Sequence, residues 1–239
     1  MVWQRIKNFI LDLIFPKECF GCGYEGVYLC KNCQAKIEIN SIFKCALCHQ
    51  ESNLGQVCNH CQKDTFLKTI WVATDYNNKI LQCLIHNLKF QYIEEISSIL
   101  GNLVIKYLNN FEIFKKFEIT SENSIIVTVP LHKKKLLKRG FNQSDLLAQE
   151  ISNYFKIPFV NLISRQKNTQ TQIGLDRQAR QKNVQDAFIL NNYNSYKNKK
   201  IILIDDVVTT GSTLKECAKI LQKNGFEEIY GLVIAQRED

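Results

Sequence analysis

The sequence lacks the features that mark membrane and secreted proteins. No apolar run reaches the roughly 18 residues that are needed to cross a bilayer. The N-terminus does not resemble a secretory signal peptide, because Lys7 and Asp12 interrupt its apolar stretch and no small-residue cleavage site follows. These absences predict a cytoplasmic protein.

A phosphate-binding loop of the Walker A type is also missing, which argues against ATP hydrolysis by this chain. No internal repeat is visible beyond paired CxxC units. Of the 239 residues, 45% are hydrophobic and 23% are charged, so we expect a globular chain with one full core and a small additional module.

Cysteine, in contrast, is abundant, and its spacing indicates metal binding. Each CxxC turn presents two thiolates on one side of a tight loop, and tetrahedral Zn²⁺ takes four such ligands. Disulfides are disfavoured in a cytosolic chain, so we expect two closed, structural zinc sites. Eight of the ten cysteines are the predicted ligands: Cys19, Cys22, Cys30, Cys33, Cys45, Cys48, Cys58 and Cys61.

We favour consecutive pairing of the four CxxC units, because each loop then closes over only seven or nine intervening residues, although a cross-braced arrangement stays open. His49 and His60 adjoin ligands and could replace one, but exposed positions are favoured for both. Cys83 and Cys217 lie on apolar helical stripes and are predicted to be small core residues. The formal charge of +8 falls to about +4 once eight thiolates and two Zn²⁺ are included.

Residues 1–18 predict an amphipathic helix that ends before Pro16. Its apolar stripe is expected to pack on the chain's own domains. A partner-protein surface is the main alternative, and a membrane surface is disfavoured because the polar face carries only two basic residues.

The most informative stretch is 200–214. Four apolar β-formers at 201–204 predict a strand buried on both faces of a parallel sheet, and Asp205 and Asp206 end it at the edge where such sheets bind ligands. A hydroxyl-rich segment follows and leads into a helix with an apolar stripe.

We interpret this strand, loop and helix as a site for a ribose that carries a phosphate. The two carboxylates would accept from the ribose 2′- and 3′-hydroxyls, and N–H groups at the helix N-terminus would hold the 5′-phosphate. The alternative is a capped helix beside a solvated acid pair, but a plain cap needs neither both acids nor the glycine. The other residues of the predicted site are Val207, Val208, Thr209, Thr210, Gly211, Ser212 and Thr213.

Two basic segments are candidates for contacting further phosphates. Residues 131–143 are predicted to form a basic, glycine-containing loop in which Arg139 and backbone N–H groups face a diphosphate; a solvated basic turn is the alternative. Residues 164–183 have no continuous apolar stripe and are predicted to be a mobile loop that closes over an anionic ligand.

The remaining pattern alternates between strands and helices. Strands are expected at 70–74, 125–130, 184–190 and 228–235, and helices at about 80–90 and 93–108. This order predicts an α/β domain with a mainly parallel sheet. The expected division is an N-terminal helix over 1–18, a double zinc ribbon over 19–66 and the α/β domain over 67–239.

These motifs, taken together, are similar to those of the ComF family of competence proteins, and the resemblance covers nearly the whole chain. R-G-F-N-Q at 139–143 followed by D-D-V-x-T-T-G-x-T at 205–213 is the specific part of the match. The resemblance implies a double zinc ribbon joined to a type I phosphoribosyltransferase domain that takes phosphoribosyl pyrophosphate (PRPP) with Mg²⁺. It adds to the predicted PRPP site Lys89, Gly140, Asn142, Arg165, Arg177 and Arg180.

The resemblance also implies a role in natural transformation. In that role the chain would help single-stranded DNA into the cytoplasm beside a helicase-like ATPase, with peripheral association to the uptake machinery. The residues expected to contact the DNA are Lys133, Lys134, Lys135 and Lys138.

Two mechanisms stay open. In an enzyme, Mg²⁺ would bridge the diphosphate and the ribose hydroxyls, with Asp205, Asp206 and Arg139 as catalytic residues. In a binding module, the same site would hold PRPP or a nucleic-acid 5′-phosphate without turnover. We recognise no base-recognition hood and no general acid, so the sequence favours binding over catalysis.

Overall fold

The computed structural model describes residues 16–91, 93, 95–167 and 177–237. The amphipathic helix predicted over 1–18 therefore lies outside the described residues except for its last three, as does the middle of the predicted mobile loop. No helix among the described residues is both long enough and apolar enough to cross a bilayer.

A four-stranded parallel sheet with the order β1-β6-β5-β2 forms the centre of the fold. Its strands are β1 (Leu67–Asp75), β2 (Ser124–Thr128), β5 (Lys200–Val208) and β6 (Ile229–Gln236). A separate antiparallel pair joins β3 (Ile163–Arg165) to β4 (Phe188–Leu190). The predicted parallel sheet is thus confirmed, and the strand that carries the acid pair lies inside it. The expectation that Asp205 and Asp206 end this strand is wrong, because Val207 and Val208 still pair with β6.

Nine helices and two 3₁₀ turns (Asn53–Gly55 and Asn194–Tyr196) are seen in the described residues. The helices are α1 (Lys31–Gln34), α2 (Asn59–Gln62), α3 (Lys79–Phe90), α4 (Glu95–Asn110), α5 (Ile113–Lys116), α6 (Lys133–Arg139), α7 (Gln143–Phe155), α8 (Arg177–Val184) and α9 (Ser212–Lys223).

Both faces of the sheet are covered, as the continuous apolar run of β5 requires. Ile202 and Ile204 face a core that α3, α4 and α7 complete. Ile201 and Leu203 face a second core that contains the buried stripe of α9. Successive side chains of a strand point to opposite faces, so a strand in this position must be apolar at every residue.

The cysteine-rich segment, residues 17–66, packs on the outer edge of β1. Isolated antiparallel bridges join Ile39 to Thr74 and Gln56 to Thr69. Cys45 and Cys61 belong to the same buried cluster as α9. Contacts therefore cross residue 66, and the division into domains at that point stays a prediction.

One segment predicted to be a loop is helical. Residues 133–139 form α6, because Lys and Leu are good helix formers and His132 Nδ1 caps the helix by accepting from the N–H of Lys134 at 3.2 Å. Gly140 ends α6 in the left-handed conformation, with φ of 84°.

Two further expectations need correction. Residues 177–183 of the predicted mobile loop belong to α8, as does Val184, which was predicted to begin a strand. Cys83, predicted to be a core residue, is half-exposed. Cys217 is fully buried, as expected.

Candidate functional site

A small cleft lies where β5 ends and α9 begins. Gly211 precedes the first turn of α9 with φ of 72°, a conformation that favours glycine. Thr210 and Ser212 are both buried, and their hydroxyl oxygens lie 2.7 Å apart. The residues lining the cleft are Asp205, Val207, Val208, Thr209, Gly211, Ser212, Thr213 and Leu214. The structure thus brings most of the predicted phosphate-site residues to one cleft.

The two adjacent aspartates have different surroundings. Asp206 is 6% exposed, and both of its carboxylate oxygens are occupied. Lys89 Nζ donates to Oδ1 at 2.8 Å, and Gln143 Nε2 donates to Oδ2 at 2.6 Å. Gln143 Oε1 in turn accepts from Arg139 Nη1. Asp206 therefore holds Lys89 directly and Arg139 through Gln143, by a series of hydrogen bonds.

Asp205 is the carboxylate that lines the cleft. It is partly exposed, and its Oδ1 accepts from the N–H of Asp206 at 2.9 Å and from Ser144 Oγ at 3.4 Å. Burial, and next the adjacent Asp206 carboxylate, raise the pKa of Asp205 to about 7, although nearby Lys89 acts in the opposite direction. This carboxyl is the one placed to meet a ligand hydroxyl or a cation.

Two arginines border the same region. The Arg139 guanidinium lies 5.4 Å from the centroid of the Phe90 ring, and burial lowers the pKa of Arg139, an effect that Asp206 opposes. Arg165 lies 5.3 Å from the centroid of Phe188 and is half-buried. Burial lowers the pKa of Arg165, while Cys217 and Asp205 raise it. Both cations are thus held by aromatic packing near the acid pair.

The other residues predicted for the PRPP site differ in placement. Asn142 is buried and begins α7, where its amide donates to Val129 O at 3.1 Å and to Asp145 Oδ1 at 2.8 Å. Gly140 and Asn142 therefore shape the turn between α6 and α7. Arg177 and Arg180 lie on α8, which packs on α9.

A second, polar cavity of about 340 Å³ lies beside residues 208–213, which were predicted to hold a phosphate and are called the phosphate loop below. Its lining residues come from the cysteine-rich segment, α8 and the loop with α9: Asp64, Gln181, Thr210, Ser212 and Lys215.

The predicted DNA-contacting lysines lie on α6. Lys133, Lys134 and Lys138 are exposed, whereas Lys135 is half-buried. Burial lowers the pKa of Lys135, and Arg165 and Arg139 add to that effect. Leu137, on the same helix, is 85% exposed. Three cations and an apolar side chain therefore lie on an open surface.

The eight cysteines gather as two groups of four, Cys19/Cys22/Cys30/Cys33 and Cys45/Cys48/Cys58/Cys61, and the sulfurs of each group all lie within 4.8 Å of one another. Consecutive pairing is thus confirmed. Neighbouring sulfurs of a tetrahedral zinc site lie about 3.8 Å apart at the usual Zn–S distance. The Sγ atoms of Cys22 and Cys30 are 3.7 Å apart, and those of Cys48 and Cys58 are 3.5 Å apart.

The thiols of the second group differ in their surroundings. The backbone N–H of Cys61 lowers the pKa of Cys58 to about 7, which favours the thiolate that zinc binds, whereas burial raises the pKa of Cys48 and of Cys61. His49 and His60 are both exposed, and neither belongs to a four-sulfur group. The residues present fit two zinc ions, one in each group.

The sequence did not assign roles to Gln143, Ser144 or Thr128. Gln143 links Arg139 to Asp206, Ser144 donates to Asp205, and Thr128 Oγ1 donates to Asp145 Oδ1 at 2.6 Å. The signal that could have found Gln143 is its place at the end of the R-G-F-N-Q motif.

Residues 137–239 match the family described as phosphoribosyl transferase domain. The Haemophilus influenzae competence protein F is 36% identical over 204 residues, which are 84% of this chain and 87% of that protein. The DNA utilization protein YhgH of Escherichia coli K12 is 31% identical over 223 residues, 89% of this chain and 94% of that protein. The Bacillus subtilis competence protein ComFC is 23% identical over 203 residues, 82% of this chain and 79% of that protein.

These relatives span nearly the same length as this chain, and the matched domain contains the strand, acid pair and loop described above. The chain belongs to the ComF family of competence proteins and combines two four-cysteine sites with a type I phosphoribosyltransferase domain.

Proposed function

We propose that this chain binds PRPP in the cleft between β5 and α9 and acts in the uptake or use of DNA during natural transformation, in the cytoplasm. The observation that carries the proposal is that Asp205, which is partly exposed, lines one cleft together with residues of the 208–213 loop. The names of the relatives, competence protein and DNA utilization protein, support the DNA role.

In this proposal the two aspartates have separate tasks. Asp205 accepts from a ribose hydroxyl, and the N–H groups at the start of α9 hold the 5′-phosphate. Asp206, whose oxygens are occupied by Lys89 and Gln143, holds the cations on that side of the cleft in place. Arg139 and Arg165 face the diphosphate.

Mg²⁺ fits this arrangement through the Asp205 carboxylate and the oxygens of PRPP, since it prefers oxygen ligands. When bound, it would neutralise charge on the diphosphate. The side chains of the protein supply the sugar contact and the fixed cations.

A DNA-binding surface on α6 is the second part of the proposal. Lys133, Lys134 and Lys138 are exposed, and the ring of Phe90, 61% exposed, lies beside Arg139 at the end of α6. Cations that follow a phosphate backbone, together with an exposed ring for base stacking, are what sequence-independent binding of single strands requires. The energy for moving DNA would come from a helicase-like ATPase partner.

An active phosphoribosyltransferase is the alternative function. The match of residues 137–239 to the phosphoribosyl transferase domain supports it. Asp205, which is partly exposed at the cleft and whose pKa is raised to about 7 by burial, could take the proton of the acceptor. An acceptor nucleophile would then form a bond to the ribose C1 as the bond from C1 to pyrophosphate breaks. Arg139 would stabilise the negative charge of the departing pyrophosphate.

Calorimetric titration of the wild-type protein with PRPP and Mg²⁺ tests the ligand assignment. We expect saturable binding that Asp205→Asn abolishes or weakens at least tenfold, about the loss of one charged contact. Asp75→Asn is the matched control, since Asp75 is an exposed aspartate at the carboxyl end of β1. Binding that is absent from the wild type, or unchanged in Asp205→Asn, would contradict the assignment.

The same mixture with candidate acceptors separates the two functions. Pyrophosphate release with bases, amines or DNA ends would select the transferase. Binding without release across those acceptors would select the binding module.

A further inference from the structure

The second four-cysteine site touches the phosphate loop directly. Leu47 lies between two of its cysteines, Cys45 and Cys48, and is 4% exposed. A Cβ atom placed on Gly211 would lie only 2.5 Å from Leu47 Cδ2. The backbone of the loop and the side chain of the cysteine turn are therefore in van der Waals contact with no space between them.

Two consecutive residues, Gln236 and Arg237, each make one hydrogen bond: the first to the cysteine turn and the second to the start of the loop. Gln236 Nε2 donates to the carbonyl of Ala46 at 2.7 Å. The N–H of the next residue, Arg237, donates to the carbonyl of Val208 at 2.9 Å. The end of β6 thus fixes the position of the cysteine turn relative to the residue at which the phosphate loop begins.

Apolar packing strengthens the same connection. Leu47, Cys45 and Cys61 share one buried cluster with Val208 and Leu214, which flank the loop on its two sides. Displacement of the cysteine turn would therefore expose apolar surface on both sides of the phosphate loop.

The first four-cysteine site has a different neighbour. A Cβ atom on Gly21 would lie 2.9 Å from Ile80 Cδ1, so this site packs on the first turn of α3. Its described contacts do not include the 208–213 loop. Of the two four-cysteine groups, the second therefore packs on the loop.

The shape of the second cysteine turn depends on its four sulfurs being held together. The N–H groups of Cys48 and His49 both donate to the carbonyl of Cys45, at 3.2 and 2.8 Å, which closes the turn that carries Leu47. A bound metal ion would join all four sulfurs, and metal binding to such small sites is coupled to their folding. The position of Leu47 should therefore follow the occupancy of the site.

We propose that the second four-cysteine site is a metal-dependent support for the phosphate loop, with Leu47 as the positioning residue. Zinc at this site and a phosphoribosyl ligand in the cleft then stabilise each other's binding, and the effect is reciprocal by thermodynamic linkage. Loss of this zinc ion would lower the affinity for PRPP, although none of the cysteines that bind the zinc ion lines the cleft. The proposal depends on the PRPP assignment made above.

The first test compares PRPP affinity in Leu47→Ala with that of the wild type, with zinc content measured on both. We expect binding at least about fivefold weaker, the lower end of typical coupling between sites, with two zinc ions per chain retained. Leu47→Met, which conserves volume, should restore most of the affinity. Ile80→Ala is the matched control at the first site and should bind PRPP as the wild type does.

The second test uses the unmodified protein. Zinc transfer to a chromophoric chelator is followed with and without saturating PRPP and Mg²⁺, and we expect the ligand to slow the release of one zinc ion of the two. Two variants then show which zinc ion is slowed by the ligand. Cys58→Ser should lose the slowly released zinc ion, and Cys22→Ser should keep it.

Equal PRPP affinity in Leu47→Ala and wild type, or zinc release that the ligand does not change, would overturn the coupling and leave the PRPP assignment intact. A wild type that does not bind PRPP would overturn both. If Leu47→Ala loses zinc or fails to fold, the release measurement on the wild type decides alone.

Discussion

The ammonium of Lys89 lies 2.8 Å from Oδ1 of Asp206, and the two residues are 117 positions apart in the sequence. The contact joins the last turn of α3 to the end of β5, with 23% of the Lys89 side chain and 9% of the Asp206 side chain exposed. Such a pair contributes most clearly through the cost of breaking it, since the remaining charge is then buried without its partner.

We therefore expect Lys89→Met to lower the free energy of unfolding by about 1–3 kcal/mol, a range reduced for the partial exposure of the pair. The double variant Lys89→Met with Asp206→Asn should recover part of this loss. Urea unfolding measures both. Lys115→Met, which removes an exposed ion pair with Glu112, should leave the unfolding midpoint unchanged. A Lys89→Met protein as stable as the wild type would contradict the interpretation.

Ligand affinity should rise with pH through the ionisation of Asp205. The pKa of this carboxyl is raised to about 7 by burial and by Asp206, while Lys89 acts against the rise, and Arg165 and Cys217 are further groups facing it. An ionised carboxylate accepts hydroxyl donors and Mg²⁺ better than a protonated one. Calorimetry at pH 6, 7 and 8 should show PRPP affinity rising in the wild type.

The comparison needs Asp205→Asn at each pH, because the phosphates of PRPP also titrate; the expected signal is the difference in affinity between the two proteins.

The effect of pH on stability has the opposite sign. The folded pKa lies above the unfolded value of about 3.9, so Asp205 contributes stability below about pH 4 that is lost as the pH rises through 7. The wild type should therefore lose stability relative to Asp205→Asn over that range.

Single-stranded DNA should bind through the exposed lysines of α6. Replacing Lys133, Lys134 and Lys138 by Gln should weaken binding and reduce the slope of log affinity against log salt by about 2, the value for three lost contacts to a single strand. Fluorescence anisotropy with a labelled oligonucleotide at several salt concentrations measures the slope. The control replaces three exposed lysines on other helices, Lys106, Lys116 and Lys223; equal slopes in the two triple variants would count against the surface.

Each chain should carry two zinc ions. Atomic absorption should give two per chain for the wild type and for His49→Ala, and one for Cys48→Ser, because the four sulfurs of each group alone form the site. A strong chelator should lower the melting temperature, since metal binding to such sites contributes folding free energy. One zinc lost from His49→Ala would show that the histidine is a ligand.

The parts that the sequence predicted correctly depend on neighbours along the chain. The strand that carries Asp205 and Asp206, the helix that follows Gly211 and the pairing of CxxC units all involve short separations, so composition and spacing were sufficient. The buried run of β5 could only be a strand with covered faces.

The parts that it missed depend on contacts between distant residues. Gln143 and Asp206 are 63 positions apart, and nothing in the R-G-F-N-Q motif shows that the Gln143 amide donates a hydrogen bond to the Asp206 carboxylate. The high density of lysine over 133–139 suggested a loop, whereas the capping by His132 and the helix propensity of Lys and Leu produce α6. The contact of Leu47 with Gly211 joins residues whose spacing predicts no relationship.

The bridges from Ile39 and Gln56 to β1 have a consequence for dissecting this protein. They occupy the outer rim of the sheet, where an uncovered strand would offer a row of free backbone donors and acceptors. A fragment beginning at Leu67 would present that row to solvent, and its copies would tend to pair strand to strand. The cysteine-rich segment thus also covers the edge at which copies of the sheet would otherwise pair.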